Sequence, residues 1–134
     1  MSALSRAYLN WHYSRQFAKC GKKFRFQGKY MEIDGHVEVG DHCKMRNNVI
    51  LRATNEGKII FADRAGCSYN VIIEATSLVQ IGPFTGIAEN TVIRDTNHQV
   101  YGTKRHWRYT AHEAKPIIIG DECLIGSGVY IEPG

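Results

Sequence analysis

No run of apolar residues in this chain approaches the roughly 20 needed to cross a bilayer as a helix. The N-terminus also lacks the continuous apolar core of a secretory signal. These absences point to a single soluble domain of 134 residues in the cytoplasm. The cysteines, Cys20, Cys43, Cys67 and Cys123, show neither a disulfide framework nor the spacing of a metal or redox motif. Three of them fall at inward places of the repeat described below, as buried thiols in a reducing compartment do. Acidic residues are missing before Glu32, a stretch that carries Arg6, Arg15, Lys19, Lys22, Lys23, Arg25 and Lys29. Such one-sided charge attracts anions, either a membrane surface bearing a lipid-linked glycan or nucleic acid, or else it is the solvated face of a capping helix. No nucleic-acid motif accompanies it.

What the chain does have is a period of six. Val39, Met45 and Leu51, then Phe61, Cys67 and Ile73, then Ile81, Ile87 and Ile93, and finally Ile119, Ile125 and Ile131 form four sets of three. Between sets the spacing is ten, eight and twenty-six, so insertions of four, two and twenty residues all fall at the same corner. The residue after the key position is often small (Gly40, Ala62, Ser68, Gly82, Ala88, Gly120, Gly126), and the fifth place is mostly small or β-branched. Both suit short strands turning tight corners. An antiparallel β domain would show period two with polar turn clusters instead. A fixed period of this kind marks a solenoid, in which no repeat buries its apolar face alone and stacking builds the core.

Three segments add chemical detail: Ile93-Arg94-Asp95-Thr96-Asn97-His98, then Lys115-Pro116-Ile117-Ile118-Ile119-Gly120-Asp121 after a long loop, then Ile125-Gly126-Ser127-Gly128-Val129-Tyr130-Ile131-Glu132-Pro133-Gly134. Through them the chain from about Val39 onward resembles the hexapeptide-repeat acyltransferases, and within these the galactoside, maltose and polysaccharide O-acetyltransferases. The resemblance implies an all-β, left-handed parallel β-helix of four coils with the long loop after the third. Parallel crossovers are almost always right-handed, so the left hand is implied by the family alone. The resemblance also implies acetyl-CoA as donor, a sugar or polysaccharide hydroxyl as acceptor, no metal, and a homotrimer with its active sites between subunits. Relatives continue past the match to Gly134 with a further coil, so it implies a chain truncated at its C-terminus.

Residues 1–30 form a separate region. Leu4, Ala7, Tyr8 and Trp11 recur at helical spacing behind Ser2, a candidate N-cap, and Gly21 is a candidate stop. The expectation is a short amphipathic helix whose apolar side covers the open first coil of a β-helix domain spanning residues 31–134.

His98 is the candidate catalytic residue, because it stands where the twenty-residue insertion departs and long loops in compact domains are usually functional. An imidazole titrating near neutrality takes the proton of an alcohol as its oxygen attacks a thioester. A surface histidine bonding loop to coil fits its position equally well, and the resemblance favours the general base. By resemblance Gly126 and Ser127 lie along the coenzyme, close to the thioester. Asp95 either orients the acceptor or the imidazole, or binds backbone at a turn. Asn97, at a fifth place, is expected to point inward. Tyr69, Asn70 and Glu74 lie one coil earlier, where related enzymes contact the acceptor, although the family's usual asparagine is Ser68 here. Trp107 and its aromatic and cationic neighbours in the loop suit either a glycan or a neighbouring subunit.

Two other classes are set against this one. A γ-carbonic-anhydrase-like enzyme shares the β-helix and needs three converging imidazoles on zinc, but the family's pair of histidines five apart is missing, since His36 and His42 are six apart. A truncated or degenerate β-helix scaffold without catalysis is the non-enzymatic alternative.

Overall fold

The computed structural model describes residues 1–134. Three parallel sheets of five strands wind around one core. The four expected coils are present. The first runs through β4 (His36–Val39), β5 (Lys44–Arg46) and β6 (Val49–Ala53), the second through β7 (Lys58–Phe61), β8 (Gly66–Cys67) and β9 (Ile72–Ala75), and the third through β10 (Leu78–Ile81), β11 (Gly86–Ile87) and β12 (Val92–Arg94). After a hairpin of β13 (Thr96–His98) and β14 (His112–Ala114), the last coil follows as β15 (Ile117–Ile119), β16 (Leu124–Ile125) and β17 (Tyr130–Ile131). The fold is the parallel β-solenoid that the period of six predicts.

The register repeats the sequence phase. Phe61 pairs with Ile81 and Ile81 with Ile119, while Ile73 pairs with Ile93 and Ile93 with Ile131. Ten of the twelve periodic residues are buried, and only Ile125 and Ile131, on the last coil, are half-buried. Burying one such side chain contributes about 1.5–3 kcal/mol. A coil with three of them is far too weak alone and depends on its neighbours. Two of the three corners are turned by left-handed residues in register: Lys23, His42, Arg64, Phe84 and Glu122 at one, Asn48, Asn70, Asn90 and Gly128 at the other. Asparagine tolerates this conformation well, and the three asparagine amides are bonded to one another at 2.9 and 3.1 Å.

The solenoid starts earlier than the period suggests. Strands β1 (Lys19–Cys20), β2 (Arg25–Gln27) and β3 (Met31–Asp34) form a lead-in coil, with Cys20, Phe26 and Ile33 opposite Val39, Met45 and Leu51. Residues 1–30 are therefore not wholly a cap, and Cys20 belongs to an inward column. The helix α1 (Ala3–Ser14) begins as expected, with the Ser5 N–H donating to Ser2 Oγ at 3.1 Å, but it ends before Gly21.

Its docking face is the opposite of the expected one. Leu4, Tyr8 and Trp11 face outward, while Tyr13 is buried with its ring 4.7 Å from Phe26. The reason lies in the strand edges. The Phe26 N–H donates to Asn10 Oδ1 at 2.6 Å and the Met31 N–H to the Tyr13 hydroxyl at 3.0 Å, so polar groups of α1 satisfy backbone donors on the lead-in coil. No helix is long and apolar enough to cross a membrane.

Candidate active site

The twenty-residue insertion leaves the solenoid at the corner between β12 and β15. Its base is an antiparallel hairpin that sets Thr96 opposite Ala114, Asn97 opposite Glu113, and His98 opposite His112. The Lys115 N–H donates to the Asp95 carbonyl at 2.9 Å and closes that base. The tip folds back through a 3-10 turn at Trp107–Tyr109, bringing the Trp107 ring within 5.3 Å of the His98 ring. His98 also meets the His112 ring, with centroids 4.1 Å apart. The Nδ1 of His98 is buried without a hydrogen-bond partner. Native structures leave few such atoms unpaired, and those few call for an explanation in function or in a missing partner.

Two cavities meet at this histidine. The larger, about 720 Å³, lies between the hairpin and the last coil and is bordered by Tyr101, Trp107, Lys115 and Glu132. The smaller, about 380 Å³, has an entirely polar wall that includes Arg52, Glu74, Thr76, Arg94 and His112. Only Asn97 and His98 border both. Asn97 is exposed rather than inward, because the phase of six ends at Asp95, where the chain turns out into β13.

Of the acceptor candidates, Glu74 and Trp107 share cavities with His98, whereas Asp95, Tyr69 and Asn70 do not. Glu74 is the third rung of a ladder on one sheet face. Glu32 Oε1 lies 2.6 Å from Arg52 Nε, Arg52 Nη1 3.2 Å from Glu74 Oε1, and Glu74 Oε2 2.6 Å from Arg94 Nε. The Arg52 guanidinium holds the Glu32 carboxyl below its ordinary range.

Asp95 takes the second of its two expected roles, binding backbone at a turn, and not the acceptor-binding one. Its carboxylate is fully buried and accepts from the backbone N–H groups of Thr76, Ser77 and Leu78 at 2.7–2.8 Å and from the Thr96 hydroxyl at 2.8 Å. With both oxygens saturated it holds the preceding corner and reaches no acceptor. Tyr69 and Asn70 sit at the corner between β8 and β9, where the Tyr69 hydroxyl accepts from Arg46 Nη1 at 3.0 Å and Asn70 belongs to the asparagine ladder.

Gly126 and Ser127 belong to this second corner too. The Thr91 hydroxyl donates to the Gly126 carbonyl at 2.9 Å, and the Ser127 hydroxyl donates to Glu89 Oε1 at 2.7 Å, holding that carboxyl below its ordinary range. No side chain or backbone lies within 4 Å of where a Cβ on Gly126 would stand. A strand and its flanks, roughly 15 Å, separate the two corners, so one chain does not bring His98 to Ser127.

Comparison with family models, with curated proteins and with solved structures finds no match to this chain. The fold and the two corners are therefore the whole basis for a functional reading. No three of the His, Cys, Asp and Glu side chains are grouped to hold a metal ion. His36 contacts Glu38 at 2.7 Å, far along the chain from the His98–His112 pair. The sequence reading missed His112 as a neighbour of His98, and Arg94 and Thr76 as cavity wall. Only the hairpin register places His112, and no periodic signal carries that register.

Proposed function

We propose that this chain is an acetyl-CoA-dependent O-acetyltransferase that acts on a sugar or polysaccharide hydroxyl, with His98 as general base. The observation that carries the proposal is the position of His98. It stands at the base of the only long insertion, borders both cavities, and is in contact with the rings of Trp107 and His112. The imidazole accepts the hydroxyl proton while the oxygen attacks the thioester carbonyl. The C–S bond then breaks, and the proton passes to the departing CoA thiolate. A backbone N–H holds the transient oxyanion. The polar wall of Arg52, Glu74 and Arg94 suits an acceptor rich in hydroxyls, and the Trp107 face suits a sugar ring.

The separation of His98 from Gly126 and Ser127 favours a site shared between copies of the chain. In a cyclic homotrimer, the second corner of one copy meets the hairpin corner of the next.

Calorimetric titration of the purified chain with acetyl-CoA tests the reading. Saturable binding near one coenzyme per chain supports it. No binding by a folded oligomer rejects it in favour of a scaffold.

A further inference from the structure

The outward face of α1 has no role in the fold. Leu4, Tyr8 and Trp11, spaced i, i+4 and i+7, are 84, 58 and 54% exposed, and they form one stripe opposite the docked Tyr13. The Tyr8 and Trp11 rings lie 6.0 Å apart, and the Arg15 guanidinium sits 5.0 Å above the Trp11 ring. Covering the lead-in coil therefore uses the other side of the helix, leaving an aromatic stripe in water at the end of the solenoid.

The surroundings of that stripe are cationic. Arg6, Arg15, Lys19, Lys22, Lys23, Arg25 and Lys29 are all exposed, on α1 or on the lead-in coil, whose strands β1, β2 and β3 are each at the edge of a sheet. None of the seven forms an ion pair, whereas acidic partners hold Arg52, Arg94 and Lys115 elsewhere. No acidic residue precedes Glu32, and the carboxylates nearest this end, Glu32 and Asp34 on β3, Glu38 opposite Lys19, and Asp41, which accepts from the Lys22 backbone N–H at 2.7 Å, pair with none of the seven side chains.

We infer that this end of the solenoid docks on an anionic lipid surface, with α1 lying in the interface. Tyrosine and tryptophan prefer the headgroup level, where the ring body is apolar and the polar edge stays wet. A helix with such a stripe and flanking lysine and arginine binds through buried apolar area plus attraction to anionic headgroups. Nucleic acid fits less well, because the centre of the stripe is uncharged and Leu4 offers nothing to a phosphate or a base edge.

The test uses the full chain carrying Trp107→Phe, which leaves Trp11 as the only indole. It is mixed with vesicles of phosphatidylcholine alone or of phosphatidylcholine with phosphatidylglycerol. The expected result is flotation with the phosphatidylglycerol vesicles, a blue shift of Trp11 emission, and binding that weakens with salt. Lys22→Gln with Lys23→Gln lowers the partition roughly 10- to 30-fold. Leu4→Ser with Trp11→Ser, read by flotation, abolishes it without altering the circular dichroism, since both side chains are exposed.

Absence of vesicle binding overturns the inference, as does equal binding to the two vesicle types. So does binding that survives Leu4→Ser with Trp11→Ser. A Trp11 shift with a single-stranded oligonucleotide and none with vesicles would assign the face to nucleic acid. A change of oligomeric state in Leu4→Ser with Trp11→Ser, again without vesicle binding, would assign it to a second copy of the chain.

Discussion

The His98 and His112 rings meet edge to face at 4.1 Å and 75°, from directly opposed positions of the hairpin that leaves the solenoid. This contact, together with the Trp107 ring 5.3 Å away, fixes where the His98 imidazole lies. His112 is thus a positioning residue for the proposed base.

Removing His112 tests that role. His112→Ala should lower kcat by roughly 10- to 100-fold, the cost of a misplaced catalytic group, with acetyl-CoA affinity unchanged. His112→Phe keeps an aromatic ring against His98 and should restore most of the rate. Equal rates in wild type and His112→Ala would remove the contact from the account.

Asp95 should matter for stability. It accepts three backbone N–H groups and one hydroxyl from a fully buried position. Asp95→Ala leaves those donors unpaired and should cost about 3 kcal/mol, seen as a lower urea midpoint at constant m. A loss under about 1 kcal/mol would contradict the cap assigned to it.

Thiol reactivity reports the inward columns. Burial pushes the Cys43 thiol up to about 11 and the buried Cys67 thiol higher still. Both should resist alkylation in the folded chain. Cys123, half-buried on the last coil, should react first, and Cys20, whose thiol burial also raises, should follow more slowly. Mass spectrometry after brief iodoacetamide treatment distinguishes the four, and early labelling of Cys67 would contradict the packing.

How much of this was legible beforehand depended on whether the interior imposed it. The inward column requires an apolar side chain at every sixth place, so Phe61, Ile81 and Ile119 could be read directly. The lead-in coil escaped because Phe26 and Ile33 are seven apart, which breaks the phase. The docking face of α1 was misjudged because Asn10 and Tyr13 are chosen by unpaired strand-edge donors, which hydrophobic spacing does not record. At the site, the departure point of the insertion revealed His98, but the partnership with His112 depends on hairpin register. Asp95 was open to two roles in sequence, and only its four donors decide between them.

The second corner should show a pH signature. The Ser127 hydroxyl, foremost, holds the Glu89 carboxyl below its ordinary value of 4.5. A carboxyl lowered on folding stabilises the fold fully above that ordinary value, and the contribution is lost as pH falls through the lowered one. Ser127→Ala should therefore lower the Tm slightly at neutral pH and not at all in strong acid. A difference that persists unchanged in acid would contradict the linkage.

The most direct test of the central claim is CoA release from acetyl-CoA in the presence of a panel of sugar and oligosaccharide acceptors, for wild type and His98→Ala. The account predicts acceptor-dependent release by the wild type and a fall of roughly 10²- to 10⁴-fold in the mutant, with coenzyme binding intact. Acceptor-dependent transfer that is equal in the two would contradict His98 as the general base, and the absence of transfer to any acceptor by coenzyme-saturated wild type would contradict the enzyme itself.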